Sequence, residues 1–402
     1  SGGPRVIKRL HSMNIDISTL RNETPACADL IHFNNAGAAL APLAVTEAVL
    51  SHLANEQRLG GYEAASLAEA QINNFYDAFA KLLACEASEI AYAENATHAW
   101  NSLFNAIPFA AGDIILTGQS EYASNFLALL HMAKRRGVKI DVIPNDHNGI
   151  IDLKQLEAAI NPRVKLIALT HTPSQSGVIH PAARVGELAR AHNILYLLDA
   201  CQSAGQIDLN VDELGCDMLA GTGRKYLRGP RGTGFLYMRR SSMSKLEPAW
   251  VDLHSANWIS ANTYEFRDDA RRFENWECYV AGKIGLGVAV DYALKIGMPA
   301  IESRVGELGA ALRETLGTIT GVTVHEHGEP LSGIVTFSKN GIAAASLQEG
   351  LRAKRMNTSV ARLASNQLDL AKRGLGDINR ASVHYYNTDE EIERFCQAVA
   401  QF

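Results

Sequence analysis

No two of the six cysteines (Cys27, Cys85, Cys201, Cys216, Cys278 and Cys396) in this 402-residue chain have CxxC spacing. No Cys/His cluster has zinc spacing either, so nothing points to a metal site. Sparse, scattered cysteine fits a reducing, cytoplasmic compartment better than a disulfide scaffold. No run approaches the roughly 18 apolar residues that a membrane span needs. The longest, such as 194–198 and 235–238, have strand length. Neither sign of charge is in excess: 38 basic residues face 43 acidic ones, a formal net charge of −5. That balance favours neither nucleic acid nor an anionic membrane surface as partner. No internal repeat, low-complexity tract or Gly/Ser linker is found, and no GxxxxGK[ST] phosphate loop. The start has no basic-then-apolar signal pattern, and Ser1-Gly2-Gly3 reads as a remnant of an expression tag, left out of the fold argument.

What is present is an ordinary globular composition, 47% apolar and 20% charged. The length predicts two domains, or one large domain with an appendage. The centre alternates strand and helix patterns. Strands are predicted at 113–117, 138–142, 165–170, 194–198, 217–220 and 234–238. Helices are predicted at 126–136, 153–160 and 182–191. Ile194–Leu198 is a near-continuous apolar run, as in parallel strands buried on both faces. Such alternation implies a doubly wound α/β sheet. After about residue 290 the pattern changes: a helix over 301–316, strands at 322–326 and 333–338, a helix over 343–355, a strand at 380–384, and a last helix from Asp389. That order predicts a smaller α+β domain. We place the large domain at 33–290 and the small one at 1–32 with 291–402, bridged by a helix over 283–296.

Ligands of open α/β sheets bind beyond the carboxyl ends of the strands. The polar residues that follow each strand are therefore the candidates. Asp199 closes the run Ile194–Leu198. Lys225 follows the strand at 217–220, in Gly221-Thr222-Gly223-Arg224-Lys225. Ser174 and Gln175 follow 165–170, and Glu121, Tyr122 and Asn125 follow 113–117. All should converge on one rim. Alone, Asp199 reads as a turn aspartate and Lys225 as a solvated lysine in a basic loop. Together, on successive strand ends, they are more specific. A carboxylate can pair with a protonated pyridine nitrogen while a lysine forms a Schiff base with an aldehyde, the arrangement that pyridoxal phosphate demands. Asn95–Asn101 reads as a turn opening into a helix, whose N-terminal amides and dipole suit a phosphate; an ordinary cap would look the same locally. Gly221-x-Gly223 lacks the third glycine of a dinucleotide loop, because Tyr226 stands there.

These residues resemble the class V aminotransferases, the pyridoxal-phosphate fold-type I group. That group holds cysteine desulfurases, selenocysteine lyases, isopenicillin N epimerase-like enzymes and ergothioneine-type C–S lyases. The matching segments are Phe33-Asn34-Asn35-Ala36-Gly37, the Asn95–Asn101 turn, Leu198-Asp199-Ala200-Cys201-Gln202, Thr222–Lys225 with Gly229–Gly234, and Arg380–Thr388, spread over roughly residues 33–395. The resemblance implies a mostly parallel seven-stranded sheet in the large domain, a small α+β domain and a homodimer. It also implies roles. Lys225 holds the cofactor and acts as acid/base at the substrate α-carbon. Asp199 pairs with the ring nitrogen, and Gln202 with the ring phenolate oxygen. Ala96, Thr97, Thr222 and Arg224 hold the phosphate. Tyr122 stacks on the ring where desulfurases usually carry histidine, but it cannot shuttle protons near neutrality as histidine can. Ser174 stands where many relatives have asparagine. Arg380 binds the substrate carboxylate by a bidentate fork, and Asn35 lines the substrate side.

Two departures bear on the reaction. Desulfurases attack substrate sulfur with a loop cysteine, yet the segment aligned with that loop, Met356–Arg362, has none, and Cys201 is expected in the core beside the aspartate strand. Trp276 and Glu277 stand where desulfurases carry a Gly-Thr that reaches the partner's phosphate. The expected function is thus pyridoxal-phosphate chemistry on an amino acid, β-elimination of a C–S lyase type without a catalytic cysteine. The alternatives are transamination to a 2-oxo acid, or a desulfurase or selenocysteine lyase with an atypical nucleophile. A degenerate partner-binding protein is the reading of a different class, and intact Lys225, Asp199, Gln202 and Arg380 argue against it. Loops at 59–66, 252–258 and 356–365, with Gly60-Gly61-Tyr62 and Arg362, are the candidate selectors of the substrate side chain.

Overall fold

The computed structural model describes residues 15–402. The first part of the segment assigned to the small domain, Ser1-Gly2-Gly3 included, lies outside the described residues.

Seven strands form the large sheet, in the order Lys139–Ile143, Ile114–Gly118, Val164–Thr170, Leu195–Asp199, Met218–Thr222, Gly234–Met238 and Ile90–Ala93. Gly234–Met238 runs antiparallel to both its neighbours, and the other six strands share one direction. Successive side chains on a strand point to opposite faces, and each face has its own core. Tyr196 and Leu198 join Leu169, Leu219 and Phe235 beneath the helices Glu69–Leu83, Ala182–Ala191 and Val280–Ile296. Leu195 and Leu197 join Leu166, Met218 and Leu236 beneath Ala96–Asn105 and Ala123–Arg136. This double burial is why the central strands read as unbroken apolar runs.

The helix Val280–Ile296 packs on Leu43–Leu59 and Glu69–Leu83 and so belongs with the large sheet. After an 82° bend, Met298–Gly317 leads away to the second sheet. Among the described residues no single helix is long and apolar enough to cross a membrane. The second sheet is antiparallel, in the order Val322–Val324, Ile334–Lys339, Ile378–Ser382 and Ser359–Ala361. Its core takes Leu308, Leu312, Phe337, Leu347, Phe395 and Val399. A capping box starts the last helix, Asp389–Ala400. Thr388 Oγ1 accepts from the Glu391 amide, and the Glu391 carboxylate accepts from the Thr388 amide.

Three features differ from expectation. The seventh strand, Ile90-Ala91-Tyr92-Ala93, is too short for a strand pattern of its own; pairing with Gly234–Met238 makes it one. Met356–Arg362 is not a free loop: Met356–Asn357 pairs with Ile31–His32, and Ser359–Ala361 with Ile378–Ser382. The N-terminal segment does not pack wholly with the small sheet. Leu20 and Cys27 enter the large core, while Ile31 and Phe33 enter the small one.

Candidate active site

Asp199 is the last residue of the central strand Leu195–Asp199 and is buried. Its Oδ1 accepts from the Cys201 amide at 2.8 Å, and its Oδ2 from Asn125 Nδ2 at 2.7 Å. One strand over, the chain leaves Met218–Thr222 into the loop that carries Lys225. Gly229 donates to the Gly223 carbonyl at 2.7 Å and closes that loop. Gly205, at φ +95°, lies against the Tyr226 backbone so closely that a Cβ would collide with it. The lysine is thus delivered on a rigid arch, and its Nζ lies 5.9 Å from the centroid of the Tyr122 ring.

Around these two residues lies a pocket lined by Ala96, Thr97, Tyr122, Ser174, Gln202, Thr222 and Arg224, with Asn95, Thr170, Thr172 and Cys201. Nine of the eleven residues proposed from sequence are here: Ala96, Thr97, Tyr122, Ser174, Asp199, Gln202, Thr222, Arg224 and Lys225. At one end the helix Ala96–Asn105 points its N-terminus inward. Asn95 Oδ1 caps the His98 amide, and the amides of Ala96 and Thr97 have no intrahelical carbonyl. Gly234 makes this approach possible, since a Cβ there would sit 2.7 Å from the Asn95 carbonyl carbon and 3.0 Å from the Ala96 nitrogen. Arg224 extends one guanidinium nitrogen to the Gly37 carbonyl.

Arg380 adjoins the pocket. Its Nη1 donates to the Ser174 carbonyl at 3.1 Å and its Nη2 to Asn34 Oδ1 at 3.4 Å. Its Nε is buried with no partner, and no carboxylate pairs with it among the described residues. Burial, with Arg224 nearby, pulls its pKa down to about 10, which leaves it charged at neutral pH. Burial also lowers the pKa of Lys225, and Arg224 and Arg380 act in the same direction.

Two assignments change. Asn35, expected on the substrate side, is fully buried. Its amide donates to the carbonyls of His32 (3.1 Å) and Ser382 (2.8 Å), and its Oδ1 accepts from Tyr386, so it ties the N-terminal segment to the second sheet. Asn34 is the residue that reaches Arg380. Cys201, expected in the core, lies in the turn after the strand and lines the pocket. Sequence reasoning also missed Thr170 and Thr172. Thr170 closes its strand, so the strand-end rule could have found it. Glu121 and Gln175 line a separate apolar cleft with Phe126, Leu127 and Leu368.

The pocket fits pyridoxal phosphate on its own chemistry. A helix N-terminus, two threonines and an arginine offer donors at one end, a carboxylate stands at the end of the central strand, and a lysine lies between. Thr172 Oγ1 is buried without a protein partner, as is rare unless a ligand or water completes the bonding, and Gln202 Nε2 gives one hydrogen to the Ala36 carbonyl at 3.0 Å and has a second to offer a ligand oxygen.

The fold and this donor set define a fold-type I pyridoxal-phosphate enzyme. The chain belongs to the aminotransferase class-V family, whose model matches residues 31–395. It is 29% identical over 383 residues to a probable cysteine desulfurase of Methanothermobacter thermautotrophicus, covering 93% of this chain and 95% of that protein. A probable cysteine desulfurase of Xylella fastidiosa (strain Temecula1) is 33% identical over 380 residues, covering 92% and 90%. Among solved structures, the apo cysteine desulfurase of Thermococcus onnurineus superposes with a TM-score of 0.89 at 27% identity, covering 98% of this chain and 99% of that one. The protein is thus a pyridoxal-phosphate-dependent enzyme that acts on an amino-acid substrate.

Proposed function

We propose that this enzyme cleaves the Cβ–S bond of a cysteine-like or S-conjugated amino acid by β-elimination, without a cysteine nucleophile. The observation that carries this reading is the state of the thiols. A nucleophilic cysteine is one whose thiolate is favoured, and here burial pushes every thiol the other way. Cys27 is raised to about 11, and Cys85, Cys216 and Cys396 to about 12. Cys201 and Cys278 are raised as well. Neither the segment 356–362 nor the loop after it contains cysteine. The relatives named as cysteine desulfurases support a sulfur-bearing substrate.

In this reading Ala96, Thr97, Thr222 and Arg224 hold the phosphate of the cofactor, Asp199 faces its ring nitrogen, Gln202 its phenolate oxygen and Tyr122 its ring. Bound pyridoxal phosphate supplies an electron sink for charge that develops at the substrate α-carbon. Arg380 takes the substrate carboxylate with two parallel N–H donors, which turns the α-C–H toward Lys225. Lys225, its ammonium disfavoured by burial, takes that proton on Nζ. The sulfur then leaves with the electron pair of the Cβ–S bond as a thiolate. Tyr122 leaves proton transfer to Lys225.

One observation favours a second reading. Cys201 shares the pocket with Lys225 and would be the nucleophile of an atypical desulfurase. Transamination shares the first proton transfer. A single assay separates the three. The holoenzyme is given cysteine and S-alkyl cysteines, and products are measured in wild type and Cys201→Ala. Pyruvate, ammonia and free thiol in both proteins support elimination. Alanine with a persulfide on Cys201, lost in the variant, would replace it by desulfuration. A stoichiometric 2-oxo acid that keeps the sulfur would indicate transamination.

The reading includes a homodimer, for which exposed Leu59, Tyr62, Leu67, Trp258, Ile259 and Trp276 provide apolar surface; sedimentation at micromolar concentration tests it. It also includes the domain division near residue 290 and a cytoplasmic setting, consistent with six free cysteines.

A further inference from the structure

Behind Asp199 lies a second carboxylate. Asn125, in the first turn of Ala123–Arg136, is buried and gives its amide nitrogen to two acids at once: Asp199 Oδ2 at 2.7 Å and Glu121 Oε1 at 3.0 Å. Glu121 is itself buried. It accepts from the Tyr122 amide at 2.8 Å, Thr170 Oγ1 at 2.5 Å and Thr117 Oγ1 at 2.9 Å. No lysine, arginine or histidine pairs with it among the described residues. Burial first, and the charge of Asp199 after it, push its pKa up.

A buried acid without a cation is costly, and an apolar side chain would fill the space at less expense. What the acid does enforce is an orientation. With carboxylate oxygens on both sides, the Asn125 amide can present only its NH2 group; flipped, its carbonyl oxygen would face two acceptors. Thr117 and Thr170, on two neighbouring strands, hold Glu121 in place. The Cys201 amide engages the other oxygen of Asp199. Asp199 is therefore gripped from both sides before any ligand arrives.

We propose that Glu121 and Asn125 are positioning residues that hold Asp199 in the orientation its contact with the cofactor's ring nitrogen requires. This rests on the reading of Asp199 as the partner of that nitrogen. It assigns to Glu121 no contact with cofactor or substrate: it acts through Asn125.

The test is binding to the full-length apoenzyme of two ligands, pyridoxal phosphate and its 1-deaza analogue, in which a carbon replaces the ring nitrogen. Wild type should bind pyridoxal phosphate the more tightly. Asn125→Leu should shrink that preference about tenfold, the worth of one hydrogen bond to a charged group, while affinity for the analogue barely moves. Glu121→Gln, nearly isosteric, should shrink it in the same direction by a smaller factor, and it carries the test if the leucine variant does not fold. If both variants weaken the two ligands equally, or leave the preference of the wild type intact, their role is merely structural and the proposal is wrong. If wild type shows no preference and Asp199→Asn matches it, the ring-nitrogen reading of Asp199 fails, and the proposal with it.

Discussion

Replacing Arg380 by methionine should stabilise the cofactor-free protein while destroying its use of α-amino acids. The guanidinium is buried without a carboxylate, and its pKa falls from 12.5 to about 10. At about 1.4 kcal/mol per unit, the fold holds this charge at a cost of about 3 kcal/mol. The sign follows from the direction of the shift. A cation whose folded pKa is lowered penalises folding at every pH below that value, and the penalty fades as pH rises through about 10. Methionine removes the charge but strands two acceptors, the Ser174 carbonyl and Asn34 Oδ1, at about 1 kcal/mol each. A net gain of about 1 kcal/mol remains, measurable by urea unfolding of the apoprotein at neutral pH. Arg380→Lys probes the other half of the argument. It keeps the charge and loses the planar fork, so one charge-assisted bond worth about 1.5–3 kcal/mol disappears and kcat/KM should fall about 10- to 100-fold. An apoprotein destabilised by more than about 2 kcal/mol in the methionine variant, or an unchanged kcat/KM in the lysine variant, would refute the assignment of Arg380 as an unpaired cation kept for the substrate.

Lys225→Ala should bind the cofactor more weakly, lose the visible absorbance band of the holoenzyme and show no turnover; a band that persists would place the covalent attachment elsewhere. Gly234→Ala should lower affinity for pyridoxal phosphate more than it lowers stability, because its new methyl displaces the Asn95–Ala96 backbone at the helix N-terminus proposed to hold the phosphate; equilibrium dialysis and thermal unfolding together check this. Buried His171 and His180 have their pKa values pulled down to about 4 and about 3 by burial. The unfolded chain then takes up protons below its own pKa of 6.5 that the fold refuses, so stability falls as pH drops through that value. At pH 5 the pair should cost about 4 kcal/mol relative to neutral pH, and His180→Gln should remove about half of that loss in urea titrations at the two pH values.

The alternation of strands and helices, and the placing of Asp199 and Lys225 at successive strand ends, were legible in the amino-acid order. They rest on periodicities a few residues long, and residues 195–198 carry the signal of a doubly buried strand without help from the rest of the chain. The turn at Asn95 that opens the helix Ala96–Asn105 was legible for the same reason. What the order left open is decided by contacts between distant segments. Ile90–Ala93 is a strand because Gly234–Met238 lies beside it, and segment 356–362 is held by Ile31–His32 and Ile378–Ser382. Whether Asn34 or Asn35 meets Arg380 is decided by the turn at 34–37, where Asn35 is drawn to the Ser382 carbonyl and the Tyr386 hydroxyl while Asn34 reaches the guanidinium. Cys201 faces the pocket because the chain turns directly after Asp199, a bend that an apolar run does not announce. The bond from Asn125 to Asp199 spans 74 residues, and no local pattern could pair them. Short-range propensity chooses the elements; burial and hydrogen bonding between elements far apart in the chain choose which side chains meet, because only the packed sheet brings the ends of its strands to one rim.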